Sequence, residues 1–178
     1  TGASGVRKTN QLADYCKLLV ATELHENLIL EESEALNNVQ PKQANWETLT
    51  NEVPLSYFDI LVSSHVIEHV PDDLKAINET YKVLKDGGVA LILTPNRKRL
   101  SRRFIELFNG ERHFPWREHV REYTYDSFKE LLEKSLFAKY RIVSIGFGFY
   151  AAHLNVGLTI CPKIIRTWAN YFLGILEK

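Results

Sequence analysis

Apolar and polar positions alternate along this chain in two periods, and the switches between them mark out its elements. Leu18-Leu19-Val20-Ala21 and Phe58-Asp59-Ile60-Leu61-Val62 are short apolar runs, the pattern of strands buried on both faces. Val89 to Leu93 is a third such run, closed by Thr94-Pro95-Asn96, and Tyr140 to Phe147 a fourth. A weaker strand is expected around Asn38 to Asn45, interrupted by Pro41. Between these runs the period lengthens to that of a helix. Residues 4 to 14 and 26 to 36 read as helices. Asp72 to Leu84 is amphipathic, with Leu74, Ile77, Tyr81 and Leu84 on one face, and it is expected to stop at Asp86-Gly87-Gly88. Thr124 to Lys134 forms another helix, with Thr124 as its cap and Ser127 as a weaker one. Residues 97 to 122 are polar, basic and aromatic without a clear period. The tail from Ala151 is apolar with scattered basic residues; Ile164, Ile165, Trp168, Tyr171, Phe172, Leu173 and Ile175 suit core packing, a homodimer face or a membrane surface.

Strands alternating with helices predict an α/β fold, with a parallel sheet covered by helices on both faces. In such a sheet a ligand lies beyond the carboxyl ends of the strands. The residues following each run are therefore the candidate site. Thr1-Gly2-Ala3-Ser4-Gly5 is a glycine-rich turn that lets backbone approach a ligand closely. Glu23 and Leu24 follow the run at 18–21, Asn45 and Trp46 the weaker strand, and Ser63-Ser64-His65 the run at 58–62. A carboxylate at Glu23 can accept two hydrogen bonds from a ribose. Asn45 offers an amide, and Trp46 an aromatic face or a backbone N–H. Taken singly, each has a plainer reading as a turn, a solvated strand end or a packing residue. Their order along one strand–helix series is what points to a ligand.

Composition narrows the class. The 178 residues suit one domain with a full core. Twenty-two basic and 22 acidic residues cancel, so nothing in the global charge draws the chain to nucleic acid. Cys16 and Cys161 form neither a metal spacing nor a disulfide framework, no metal ligand set is expected, and a reduced, cytoplasmic setting is the default. No apolar run has the length of a membrane span and no signal peptide is evident. The chain lacks methionine and opens on the turn rather than on a strand. A first strand is therefore expected to be missing from the fold.

The segment Tyr57-Phe58-Asp59-Ile60-Leu61-Val62-Ser63-Ser64-His65-Val66-Ile67-Glu68-His69-Val70 resembles the fourth-strand signature of small class I methyltransferases. Val83-Leu84-Lys85-Asp86-Gly87-Gly88 and Leu91-Ile92-Leu93-Thr94-Pro95-Asn96 are similar to that family's next helix end and fifth strand. His119-Val120-Arg121-Glu122-Tyr123-Thr124 is similar to a segment of many bacterial members. The resemblance spans residues 1 to 150 and is most specific from 57 to 96. It implies a Rossmann-like three-layer sandwich with a mostly parallel central sheet. It divides the chain into a cofactor half (1–96), a variable segment over the site (97–125) and a C-terminal part (126–178). It also implies S-adenosylmethionine as cofactor, with Gly2 against its methionine part, Glu23 on its ribose, Asn45 and Trp46 flanking its adenine, and Leu24 among the cofactor contacts. Ser63, Ser64 and His65 would line the sulfonium side. Where the family usually carries Asp, this chain has Asn45.

Methyl transfer needs alignment of the partners more than any fixed catalytic residue. A base helps when the acceptor must lose a proton, and His65 and His119 are the candidates. His69 reads instead as a packing residue at a helix start, with Glu68 beside it. Arg97, Lys98, Arg99, Arg102 and Arg103, extended by Arg112, Arg117 and Arg121, form a basic stretch for which a solvated face is the plain reading. With His113, Arg97 and Arg121 are the candidate contacts to a small-molecule acceptor of anionic type. Two other readings stand beside the enzyme: a non-catalytic relative that keeps the fold for binding, and a nicotinamide oxidoreductase. The latter rests on the glycine turn, on Glu23 about twenty residues later, and on Tyr125 and Lys129 four residues apart.

Overall fold

The computed structural model describes residues 11–25, 37–109, 119–151, 154–161 and 163–178. Two parallel strands, β1 (Leu19–Glu23) and β2 (Val39–Gln43), form a small sheet whose register runs from Leu19 opposite Val39 to Glu23 opposite Gln43. Pro41 pairs with Ala21 without breaking β2. It can do so because β2 has only β1 as partner among the described residues, so the missing N–H falls on the edge away from β1. Of the helix expected at 4 to 14, residues 11–13 are helical and 1–10 lie outside the described residues. The helix expected over 26–36 lies outside them altogether.

Among the described residues the main sheet has five strands, in the order β3-β4-β7-β5-β6. These are β3 (Phe58–Ser64), β4 (Leu84–Pro95), β5 (Lys139–Ala151), β6 (Leu154–Ile160) and β7 (Tyr171–Glu177). β3 and β4 are parallel, whereas β7 enters antiparallel to both β4 and β5, and β6 antiparallel to β5. The sheet is thus mixed, with less parallel pairing than expected, because the C-terminal chain returns by a hairpin and a final inserted strand. That insertion also decides the fate of the tail: Phe172 and Leu176 are fully buried, while Ile164 and Trp168 stay exposed. β3 is not buried on both faces. It lies at the sheet edge with only β4 as partner among the described residues, so burial alternates: Leu61 and Ser63 point inward and Ile60 is 61% exposed.

Helix α1 (Asp73–Val83) is capped by the Asp72 carboxylate, which accepts from Lys75 N. Its buried stripe is Ala76, Ile77, Thr80 and Val83, with Leu74 and Tyr81 at the flanks rather than the centre. The helix stops at Val83, and Leu84 already opens β4. Gly87 and Gly88 therefore do not end the helix; they sit in an irregularity of β4, between the pairs Phe58–Leu84 and Ile60–Val89. Gly87 takes φ +77°, and a Cβ on Gly88 would lie 2.8 Å from the Lys85 carbonyl oxygen. The chain's last residue clamps this spot: Lys178 N donates to Gly88 O and Gly87 N to Lys178 O.

The stretch after β4 contains a helix, α2 (Leu100–Asn109), where no period was legible. Helix α3 (Tyr125–Lys134) begins with the expected Thr124 cap, and Ser127 completes a reciprocal capping box rather than capping alone. Phe128 and Leu132 of α3 pack with Ile77, Leu84, Ile92, Phe172 and Leu176 into one core. Burial of each large side chain there is worth about 1.5–3 kcal/mol.

Candidate functional site

Glu23 ends β1 largely buried, and its Oε1 accepts from Leu24 N at 2.8 Å. Its backbone oxygen accepts from Ala44 N, which joins the tips of β1 and β2 and brings Asn45 to the neighbouring strand end. Asn45 is exposed, and its side-chain oxygen caps the turn Trp46–Asn51 by accepting from Glu47 N. Trp46 departs from expectation. Its ring is buried, and Nε1 donates to Thr80 Oγ1 of α1 at 2.8 Å. The ring serves the core, because an indole N–H taken out of water needs an acceptor and Thr80 supplies one; only the backbone N–H of Trp46 is left for a ligand. Gly2 and His113 lie outside the described residues.

At the tip of β3 the chain turns sharply. His65 adopts φ +57°, a left-handed conformation uncommon for a side chain with a Cβ, and is held there by His65 N donating to Leu93 O. Ser63 is buried beside it with no hydrogen-bond partner for Oγ among the described residues. The next turn, Ile67–His69, places Glu68 inside the protein. Glu68 is 1% exposed, its Oε2 accepts from Thr94 Oγ1 of β4 at 3.1 Å, and its Oε1 lies 3.4 Å from His65 Nδ1.

Residues 119–123 are stitched onto this turn. Val120 N and Arg121 N both donate to the Glu68 carbonyl oxygen. Arg121 donates through its guanidinium to the carbonyls of Val70 and Pro71, and Tyr123 OH donates to Asp73 Oδ2 at 2.7 Å. Burial and the Asp73 carboxylate push the Tyr123 hydroxyl well above its ordinary pKa, so it stays a donor. The stitching delivers His119 to His69, with ring centroids 4.6 Å apart and ring planes nearly perpendicular. His119 Nδ1 lies 3.3 Å from Glu122 Oε1. Burial, with His69 close by, holds the His119 imidazole below its usual pKa and favours the neutral ring.

His65 and His119 thus meet in one cluster with Glu68, His69 and Glu122, at the carboxyl ends of β3 and β4. Sequence reasoning read His69 as a packing residue with Glu68 beside it and gave Glu122 no role. The signal was present in the spacing His65-x-x-Glu68-His69 and His119-x-x-Glu122, but only the long-range stitching unites the two segments.

Arg112 and Arg117 lie outside the described residues, and Arg97, Arg99, Arg102 and Arg121 do not form a free basic face. Arg97 and Arg102 pair with Glu106, Arg102 also pairs with Glu122, and Arg99 lies 3.7 Å from Glu122. Arg121 secures the 70–73 loop. Of the candidate acceptor contacts, Arg121 is engaged with backbone carbonyls and Asp73, while Arg97 pairs with Glu106 through Nη1 and keeps a side chain 41% exposed. Tyr125 and Lys129 do not form a catalytic pair either. Tyr125 packs edge-on against Phe172, and Lys129 reaches Glu133 at 2.9 Å.

A family model described as a methyltransferase domain matches residues 1–92. A "Probable S-adenosylmethionine-dependent methyltransferase" of Mycolicibacterium smegmatis is 27% identical over 145 residues, which are 81% of this chain and 52% of that protein. A chloroplastic 2-methyl-6-phytyl-1,4-hydroquinone methyltransferase of Oryza sativa is 32% identical over 126 residues, 70% of this chain and 34% of its own length. Among solved structures, a SAM-dependent methyltransferase of Thermotoga maritima superposes with a TM-score of 0.71 at 19% identity, over 96% of this chain and 77% of that one. The fold is that of the Rossmann-like class I methyltransferases, and the chain belongs to the methyltransferase domain family. It spans about half or less of the length of these curated relatives.

Proposed function

We propose that this chain is the cofactor-binding part of an S-adenosylmethionine-dependent methyltransferase that modifies a small-molecule acceptor. The observation that carries this reading is the set of polar groups at the carboxyl ends of the strands, in a chain of that family. Glu23 ends β1, Asn45 follows β2, and Ser63, Ser64 and His65 end β3. The fit to an adenosyl cofactor is supported by Ser63 Oγ and Thr22 Oγ1, buried hydroxyls that lack hydrogen-bond partners among the described residues. A buried polar atom in that state is expected to be satisfied by something else.

Glu23 would hold the ribose hydroxyls, and the backbone at Leu24, Asn45 and Trp46 would border the adenine. Gly2, Ser63, Ser64 and His65 would face the methionine portion. When bound, the cofactor supplies an electrophilic methyl group on a sulfonium. The chain's own task is to align the acceptor and exclude water. His65 would take a proton from an acceptor hydroxyl. Its ring is 41% exposed, the Glu68 carboxylate lies behind Nδ1, and Tyr171 packs edge-on against it. His119, at 9% exposure and engaged with Glu122, is the less accessible of the two. Curated relatives named for hydroquinone and ubiquinone biosynthesis favour an acceptor carrying a phenolic hydroxyl.

Calorimetry on the full-length protein tests this. S-adenosylmethionine and its demethylated product should bind, and NAD should not. Glu23→Gln should weaken the methyl donor by about 10- to 100-fold, the worth of charge-assisted hydrogen bonds. Heat-neutral titration with both sulfur compounds would overturn the reading. Binding without turnover of any phenolic acceptor would favour the non-catalytic relative.

A further inference from the structure

We propose that Glu68, His69 and His119 form a binding site for a divalent cation of the zinc type. The site rests on the geometry of these three residues and not on the methyl-transfer reading. Each contributes one ligand atom, and the three atoms all lie within 4.8 Å of one another. Three donors held about 2.0–2.2 Å from one tetrahedral ion stand about 3.3–3.6 Å apart, inside the separation that bounds these three atoms.

Three features separate this cluster from an ordinary polar patch. First, Glu68 is 1% exposed, and its Oε1 accepts no hydrogen bond among the described residues, with His65 Nδ1 at 3.4 Å. A buried carboxylate oxygen left in this state is costly, and a cation satisfies it. Second, the carboxylate is aimed: Thr94 Oγ1 holds Oε2, and the backbone of Glu68 is fixed by Val120 N and Arg121 N. Third, Glu122 Oε1 beside His119 Nδ1 fixes the proton on that nitrogen and leaves Nε2 as the lone-pair atom. This is the carboxylate–imidazole arrangement that orients histidines toward metal ions.

Two imidazoles and one carboxylate select the class of ion. Magnesium and calcium prefer shells made of oxygen, whereas zinc, cobalt, iron and manganese accept mixed nitrogen and oxygen donors. Three protein ligands leave at least one position open, for water or for an oxygen of a small molecule approaching past His65.

The test uses chain stripped by a chelator and dialysed into metal-free buffer, titrated calorimetrically with Zn²⁺, Co²⁺ and Mg²⁺. Exposed Cys16 and His25 are replaced first (Cys16→Ser, His25→Ala) to remove surface binding. One equivalent of Zn²⁺ or Co²⁺ should bind, raise the melting temperature, and give a Co²⁺ absorption spectrum of low coordination number. Mg²⁺ should not compete. Glu68→Gln and His119→Ala should each weaken binding by about 100-fold or more, beyond the loss caused by changing an outer partner. Circular dichroism in metal-free buffer checks folding, and the isosteric Glu68→Gln decides if His119→Ala unfolds. No stoichiometric binding, or binding that survives Glu68→Gln in a folded protein, would overturn the site. Its failure would leave binding of S-adenosylmethionine untouched, so the two readings are separable.

Discussion

At the scale of single residues, chemistry near the strand tips depends on what each side chain is already doing. Trp46 looks like a ligand-facing aromatic along the chain, yet its indole N–H is spent on Thr80 inside the core. Trp46→Phe keeps most of the apolar volume and removes the donor. It should cost about 1–2 kcal/mol of stability in a denaturant titration, while affinity for the methyl donor changes less than about twofold. A large loss of affinity with unchanged stability would place the ring at the cofactor instead. Glu68 shows the reverse case. Nothing about Glu68 alone stands out among 22 acidic residues, but burial and the nearby His65, His69 and His119 make it the centre of the cluster.

At the scale of elements, the junction of α1 and β4 carries a constraint that the glycine pattern disguises. Gly-Gly after an amphipathic helix reads as a helix stop, but Val83 ends the helix and Leu84 is already in the sheet. The pair serves a strand irregularity where backbone crowds backbone. A Cβ on Gly88 would meet the Lys85 carbonyl oxygen at 2.8 Å and those of Asp59 and Phe58 at 3.2 Å. None of the three is the end of a flexible side chain, so none can move aside cheaply. Gly88→Ala should destabilise the protein by about 1–3 kcal/mol and disturb the β3–β4 register, read as faster amide exchange at Val89 and Leu91. Substitution without either effect would show that the strand can shift to make room.

At the scale of the whole molecule, the last seven-residue strand is a keystone. β7 lies between β4 and β5 and bonds to both. It supplies the buried Phe172 and Leu176, and Gly174 leaves room for the Phe128 ring of α3, which would lie 3.1 Å from an added Cβ. Deleting residues 171–178 would strip one ladder from β4 and one from β5, and empty the middle of the core. The truncated chain should lose cooperative unfolding by circular dichroism, and it should lose His65 positioning too, since Tyr171 packs against that ring. Retention of a sharp transition would mean that β4 and β5 close on each other without it.

Much of this was written locally. The apolar runs located β1, β3, β4 and β5, and Thr124 located the start of α3, because strand burial and capping depend on residues a few positions apart. The strand-end rule likewise named Glu23, Ser63, Ser64 and His65 before any coordinates. What the sequence could not decide depends on contacts across long separations. The place of β7 in the middle of the sheet rests on hydrogen bonds to strands some eighty and thirty residues earlier. The pairing of the arginines with Glu106 and Glu122 decides whether they are free for a ligand. The meeting of His119 with Glu68 and His69 spans fifty residues and exists only because Arg121 and Tyr123 fasten one segment to the other. Spacing along a chain fixes which side chains share a face, and only folding fixes which faces meet.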